Sequence, residues 1–181
     1  MIKANCNVDG VKEAILSVKN STEEIYFFNS GDRADLIGES IVYSSTQFNV
    51  FGIYNSNILS LYKNILAILK EQCLKNEINF SGSEYYISSD YFQEFVSTRA
   101  IYDFGGIGIP CFNGIISLQE KEIVIYLNNE EKKLNCGDML FFEAGQEITY
   151  KNEKVECIYF NIAPRFMIEN QYPFKWIPVG A

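Results

Sequence analysis

Residues Glu122–Ile162 read EIVIYLNNEEKKLNCGDMLFFEAGQEITYKNEKVECIYFNI. Short apolar runs stand here between polar or glycine-bearing breaks. Ile123–Leu127 is β-branched and aromatic, and Asn128-Asn129-Glu130-Glu131 after it is a turn signal. Met139–Phe142 follows Gly137-Asp138 and is broken by Ala144-Gly145-Gln146. Ile148–Tyr150 comes next, then the polar turn Lys151–Lys154, then Val155–Ile162. Short strands at near-regular spacing specify an antiparallel sandwich or barrel.

Upstream, Val11, Ala14, Ile15 and Val18 have helical spacing. Glu24–Phe28, Ile41–Tyr43 and Phe48–Tyr54 carry strand patterns, either a flanking sheet or an extension of the main one. Ile58 to Leu74 is the clearest helix, with Ile58, Leu61, Tyr62, Ile65, Leu69 and Cys73 on one stripe and Ser56 or Asn57 as its cap. Glu84–Ser88, Thr98–Phe104 and Gly114–Leu118 supply further strands, with the glycine-rich Gly105–Pro110 between the last two. Pro173 and Pro178 make the tail an irregular strap.

The chain has 181 residues, 48% of them hydrophobic, which suits one domain with its own core. That domain divides into an N-terminal extension with a support helix (1–80), a β core (81–165) and a C-terminal strap (166–181). The formal net charge of −8, with no basic cluster, argues against nucleic-acid binding. No apolar run reaches membrane-spanning length, and no signal-peptide pattern opens the chain, so a cytoplasmic setting is expected. The five cysteines are scattered and form no Cys-x-x-Cys, which points to reduced thiols. The chain contains no histidine. Ser–His and Cys–His nucleophile pairs are therefore impossible, and imidazole-based metal sites with them.

Gly137, Gly145 and Asn152 stand where the second motif of the cupins places its glycines and asparagine, with Glu143 in place of its proline and Ile148 in place of its histidine. Gly137 to Phe142 also resembles the Gly-x-x-x-x-Phe strand of the 2-oxoglutarate/iron oxygenases, and Tyr102 and Gly105 resemble the lead-in to their His-x-Asp motif. The resemblance implies a double-stranded β-helix, a cupin-like jelly roll: mostly β with a few helices, carrying an N-terminal α/β extension and a supporting helix at about 57–75. It also implies a divergent member without the metal ligands, because no His-x-Asp lies in Gly108–Asn113. The family's co-substrate anchor falls near Glu156, whose carboxylate would repel the co-substrate's own. No metal and no cofactor are expected. A homodimer through edge strands is plausible by the same resemblance.

Carboxylates, tyrosines and amides remain as chemistry. Glu156, Glu143, Asp103 and Tyr102 are the candidate catalytic groups, and Arg99, Gln146, Tyr126 and Cys111 the candidate substrate-binding groups. Family analogy turns Glu156, Ile158 and Phe160 into the barrel, where a glutamate among aromatics could act as a general acid or base; a one-residue slip would invert that face. The leading expectation is a metal-independent enzyme acting on a small, largely apolar molecule by isomerisation, cyclisation or lyase chemistry. The alternative is a non-catalytic ligand-binding or dimerising module, and the third an oxygenase with substituted ligands.

Overall fold

The computed structural model describes residues 2–28, 41–46, 49–75, 85–95, 112–143, 148–150, 155–164 and 177–179. In chain order the elements are β1 (Ile2–Asn5), α1 (Val11–Thr22), β2 (Glu23–Phe28), β3 (Ile41–Thr46), a single 3-10 turn (Val50–Gly52), α2 (Ser56–Lys75), β4 (Tyr85–Phe95), β5 (Phe112–Ser117), β6 (Ile123–Leu127), β7 (Glu130–Leu134), β8 (Asp138–Glu143), β9 (Ile148–Tyr150), β10 (Val155–Pro164) and β11 (Ile177–Pro178). Among the described residues no helix is long and apolar enough to cross a membrane.

Two sheets build the body. The larger runs β1-β8-β5-β10-β4-β11, and the smaller runs β7-β6-β9. All of their pairings are antiparallel. From β5 onward the chain passes between the two sheets, with β5, β8 and β10 in one and β6, β7 and β9 in the other. This interleaving is that of a rolled-up jelly roll, and the fold is an antiparallel sandwich with two helices among the described residues. The pair β2–β3 forms a separate two-stranded sheet, so the N-terminal third contributes both a flanking sheet and, through β1, an extension of the main one.

Each face of the larger sheet has its own core. Ile115, Leu140, Phe142, Cys157 and Tyr159 meet Ile123, Ile125, Leu127 and Leu134 of the smaller sheet, all of them buried. On the opposite face Ile87, Tyr91, Ile116, Met139, Phe141, Ile158 and Phe160 pack with Val11 and Ile15 of α1 and with Ile58, Leu61, Ile65 and Leu69 of α2. Strand side chains alternate faces, so neighbours along β10 belong to different cores. Removing a ring such as Phe160 would cost about 3–5 kcal/mol by the usual scale for large-to-small core changes.

Local chemistry starts and stops the elements. Asn55 caps α2: its Oδ1 accepts from Asn57 N at 2.9 Å and Ile58 N at 3.3 Å. The cap thus lies one residue before Ser56, the earlier of the two residues expected to provide it. The strand expected at Phe48–Tyr54 is, over residues 50–52, a 3-10 turn instead. Asn49 accepts from Phe51 N at 3.1 Å and donates its Nδ2 to Ile87 O at 2.8 Å, which pins the turn against β4. Asn128 and Asn129 carry the β6–β7 hairpin at φ 50° and 66°. Asparagine tolerates that left-handed region, and such turns suit the twist of the strands they join. The tail is partly regular, since Ile177 and Pro178 pair with Ile87 and Tyr86 at the edge of the larger sheet.

Gly114 and Gly137 are structural joints. The Phe160 ring lies over Gly114 where a Cβ would stand. Gly137 has φ +87°, and a Cβ there would lie 2.5 Å from Cys6 O. Its amide donates to Ser117 O and its carbonyl accepts from Cys6 N, both at 2.8 Å, so it links the ends of β5, β8 and β1. Gly114→Ala is expected to lower stability by about 1–3 kcal/mol in urea unfolding, as overpacking does. Gly52→Ala, whose Cβ would meet Asn49 Cβ at 3.8 Å and nothing nearer among the described residues, is expected to stay within about 0.5 kcal/mol of the parent.

Candidate functional site

The inner face of the larger sheet changes character along its length. At the end near Cys157 it is apolar. Toward the other end, register sets polar residues side by side. Asn161 of β10 lies opposite Asn113 of β5 on one flank and Ser88 of β4 on the other. The next row holds Ile115, Tyr159 and Asp90, and Ala163 faces Tyr86 beyond. Side chains directly opposite in an antiparallel ladder have Cβ atoms about 4.5–5.5 Å apart. Two amides and a hydroxyl are therefore neighbours, with a carboxylate and a phenol one row deeper.

Burial sharpens this arrangement. Asn113 is 3% exposed and Ser88 6%. Asn161 Oδ1 is buried with no hydrogen-bond partner among the described residues. Buried polar atoms are nearly always satisfied, and an exception calls for a water, an ion or a ligand. Burial also holds the Tyr159 phenol well above its ordinary range, with Cys157 adding to the effect, so Tyr159 is a neutral hydroxyl. The strands β4, β5, β8 and β10 contain no lysine or arginine. The same rows carry the buried Ile115, Leu140, Phe142 and Tyr159 beside the polar groups.

Glu156 is elsewhere. It was expected to point into the barrel with Ile158 and Phe160, but those two residues face the helices, while Val155, Cys157 and Tyr159 fill the interior. Glu156 stands at a register irregularity between Val155 and Cys157, where a bulge re-aims a side chain. Its Oε1 pairs with Lys12 Nζ of α1 at 2.8 Å. Its Oε2 accepts from the buried Tyr91 hydroxyl at 2.9 Å, and its amide donates to Gln119 Oε1 at 3.0 Å. The group is a clamp between helix and sheet. Burial first, then the bond to Glu156, pushes the Tyr91 phenol far up.

The structure places two further candidates. Glu143 is exposed at the end of β8. Tyr126 is half-buried on β6 between the inward Ile125 and Leu127, so alternation places it on the outer side of the smaller sheet. Asp103, Tyr102, Arg99, Gln146 and Cys111 lie outside the described residues. The structure therefore assembles none of Glu156, Glu143 and Tyr126 into one site. The row it does assemble was not singled out from sequence, because its members are far apart in the chain and meet only through register.

An iron site of the kind the resemblance implies needs imidazole and carboxylate ligands. The chain has no histidine to supply the imidazole. Among the described residues no three of His, Cys, Asp and Glu come together as a metal site. Among the described residues the donor set does not fit that group.

Glu156→Ala would remove the acceptor that Glu156 Oε2 gives the buried Tyr91 hydroxyl, and a loss of about 1–3 kcal/mol in urea unfolding is expected. Lys12→Ala is expected to cost less, because that side chain is 46% exposed and screened by water. The Lys12 pKa is raised above its ordinary 10.5, chiefly by its hydrogen bond to Glu156. The pair's contribution is therefore fully present below that value and lost as pH rises through the raised one. The stability gap between parent and Lys12→Ala should close at strongly alkaline pH.

No family model matches the chain, and no curated protein matches it. Among solved structures it is similar to a 2OG-Fe(II) oxygenase family oxidoreductase from Burkholderia pseudomallei, at 10% identity over 88% of this chain and 93% of that one, with a TM-score of 0.45. It is similar to the EutQ protein of Clostridium difficile at 10% identity, over 50% of this chain and 60% of that one, with a TM-score of 0.30. Salicylate 1,2-dioxygenase from Pseudoaminobacter salicylatoxidans, solved as adducts with gentisate, is also similar, at 10% identity over 71% of this chain and 37% of that one, with a TM-score of 0.30.

Proposed function

We propose that this cupin-like sandwich is a small-molecule-binding protein that works without a bound metal and receives its ligand over the Asn113–Asn161–Ser88 row. The observation that carries the reading is the buried Asn161 Oδ1, which has no partner among the described residues and is set between a second amide and a hydroxyl. A fold that buries such an atom must offset about 1–3 kcal/mol of lost hydration unless something bonds to it. A ligand seated over the row would supply that bond.

Binding is favoured over carboxylate acid–base catalysis by the placement of the glutamates. Glu156 is committed to Lys12 and Tyr91 on the helix side, and Glu143 is exposed. One observation supports a proton-transfer enzyme as a second reading: Asp90 and Tyr159 are direct partners on the inner face. That reading requires turnover to vanish in Asp90→Asn while ligand affinity persists.

The binding reading is tested by a fragment screen read through the side-chain NH2 signals of Asn113 and Asn161 in 15N-labelled protein. Shifts concentrated on those two amides are expected with the fragments that bind. Fragments that perturb only residues on the helix-facing side, or no fragment perturbing either amide, would overturn it.

A further inference from the structure

We infer that Asn49, on the helix side of the larger sheet, is a positioning residue for the row on the inner side: it fixes the peptide unit that carries Ser88 and so sets how Ser88 meets Asn161. The inference rests on the binding reading above and adds what holds one end of that row in place.

Ser88 stands opposite Asn161 on the inner face, while its chain neighbours Ile87 and Ser89 stand opposite Ile162 and Phe160, which face the helices. Asn49, 4% exposed, reaches both neighbours. Its Nδ2 donates to Ile87 O at 2.8 Å, and that carbonyl belongs to the peptide unit whose nitrogen is Ser88's own. Its Oδ1 accepts from the Ser89 hydroxyl and from Phe51 N at 3.1 Å. One side chain thus brackets Ser88 along the chain. In an antiparallel ladder successive residues turn their backbone groups to opposite flanks. Tyr85 O accepts from Val179 N at 3.0 Å on the β11 flank. Ile87, two residues on, turns its carbonyl to that same flank, where Asn49 takes it. The backbone groups of Ser88 then turn to β10, where Asn161 is its partner.

A carboxamide suits this place because it accepts and donates from one planar group. The acceptor serves Phe51 N and the Ser89 hydroxyl, and the donor serves Ile87 O. The turn that carries Asn49 is anchored in its own right. Phe51 stacks on Tyr62 of α2 with ring centroids 5.1 Å apart, and its ring lies 5.9 Å from that of Phe160. A binding group is held to a productive geometry only when the residues behind it are locked by packing and hydrogen bonds. Asn49 gives Ser88 that backing. Glu156 holds the same face near the start of β10, away from the row.

The test uses the 15N-labelled full chain, with acetamide and the fragments of the screen above as probes; acetamide carries an N–H that Asn161 Oδ1 can accept. Asn49→Ser keeps an acceptor for Phe51 N and is too short to reach Ile87 O. In this variant the Ser88 backbone amide and the Asn161 side-chain NH2 signals are expected to shift before any probe is added. Probe affinity should fall about tenfold or more, which corresponds to about 1.4 kcal/mol. Asn49→Ala should do the same, and Asn49→Ser decides where Asn49→Ala does not fold. Glu156→Ala, which loosens the same face elsewhere, should leave the Asn161 signals and the affinity as in the parent. Asn49→Ser binding the probes as the parent does would overturn the positioning role and leave the binding site standing. An equal loss in Glu156→Ala would overturn it too, since affinity would then follow overall stability. If no probe shifts the Asn161 amide in the parent, the site itself falls, and the positioning role with it.

Discussion

Strand β10 is buried on both of its faces, and most of the structure follows from that constraint. It lies between β5 and β4 in the larger sheet. Odd-numbered residues from Val155 to Tyr159 fill the sandwich, while Ile158, Phe160 and Ile162 support the helices. A strand in that position cannot slip by one residue without exchanging its two sets of side chains. Fixing β10 therefore fixes the register of β4 and β5, and register in turn sets Asn161 between Asn113 and Ser88. The polar row is a consequence of the same alternation that builds the two cores.

The two faces divide the polar work. On the helix side, Glu156 meets Lys12, Tyr91 and Gln119 and holds α1 against the sheet. Asn49 does similar work beside it, bonding to Ile87 O and Phe51 N, with the Ser89 hydroxyl donating to its Oδ1. These groups have partners and explain architecture. On the inner side the Asn161 carbonyl has none among the described residues, and on the helix side neither has the Tyr62 hydroxyl. A polar atom that architecture does not use is a better pointer to function than a carboxylate that architecture consumes.

Much of the fold was legible from residues 122–162, where β6, β8, β9 and β10 fall on the apolar runs. Both helices were legible from spacing. Strand β7 was not, because Glu130–Leu134 is EEKKL: a charged edge strand looks like a turn when its apolar partner lies across the sheet. Strand β1 is four residues long and exists through pairing with β8, distant in sequence. The face of β10 was illegible for a different reason. CIYFNI is apolar on both sides, and a strand buried on both faces loses the alternation that would identify its inside. Family analogy then supplied the wrong parity for Glu156. The site rows depend on which strands meet and in which register, and neither is encoded in spacing along the chain.

The smaller sheet ends at β7, whose outer margin is lined by Glu130, Glu131, Lys132 and Lys133, paired as Lys132 with Glu130 and Lys133 with Glu131. A foreign strand docking along that margin would have to dehydrate two ammonium and two carboxylate heads that already neutralise one another. The hairpin thereby acts as a fender: it leaves backbone groups open to water while discouraging the end-to-end growth of one sheet onto another molecule's.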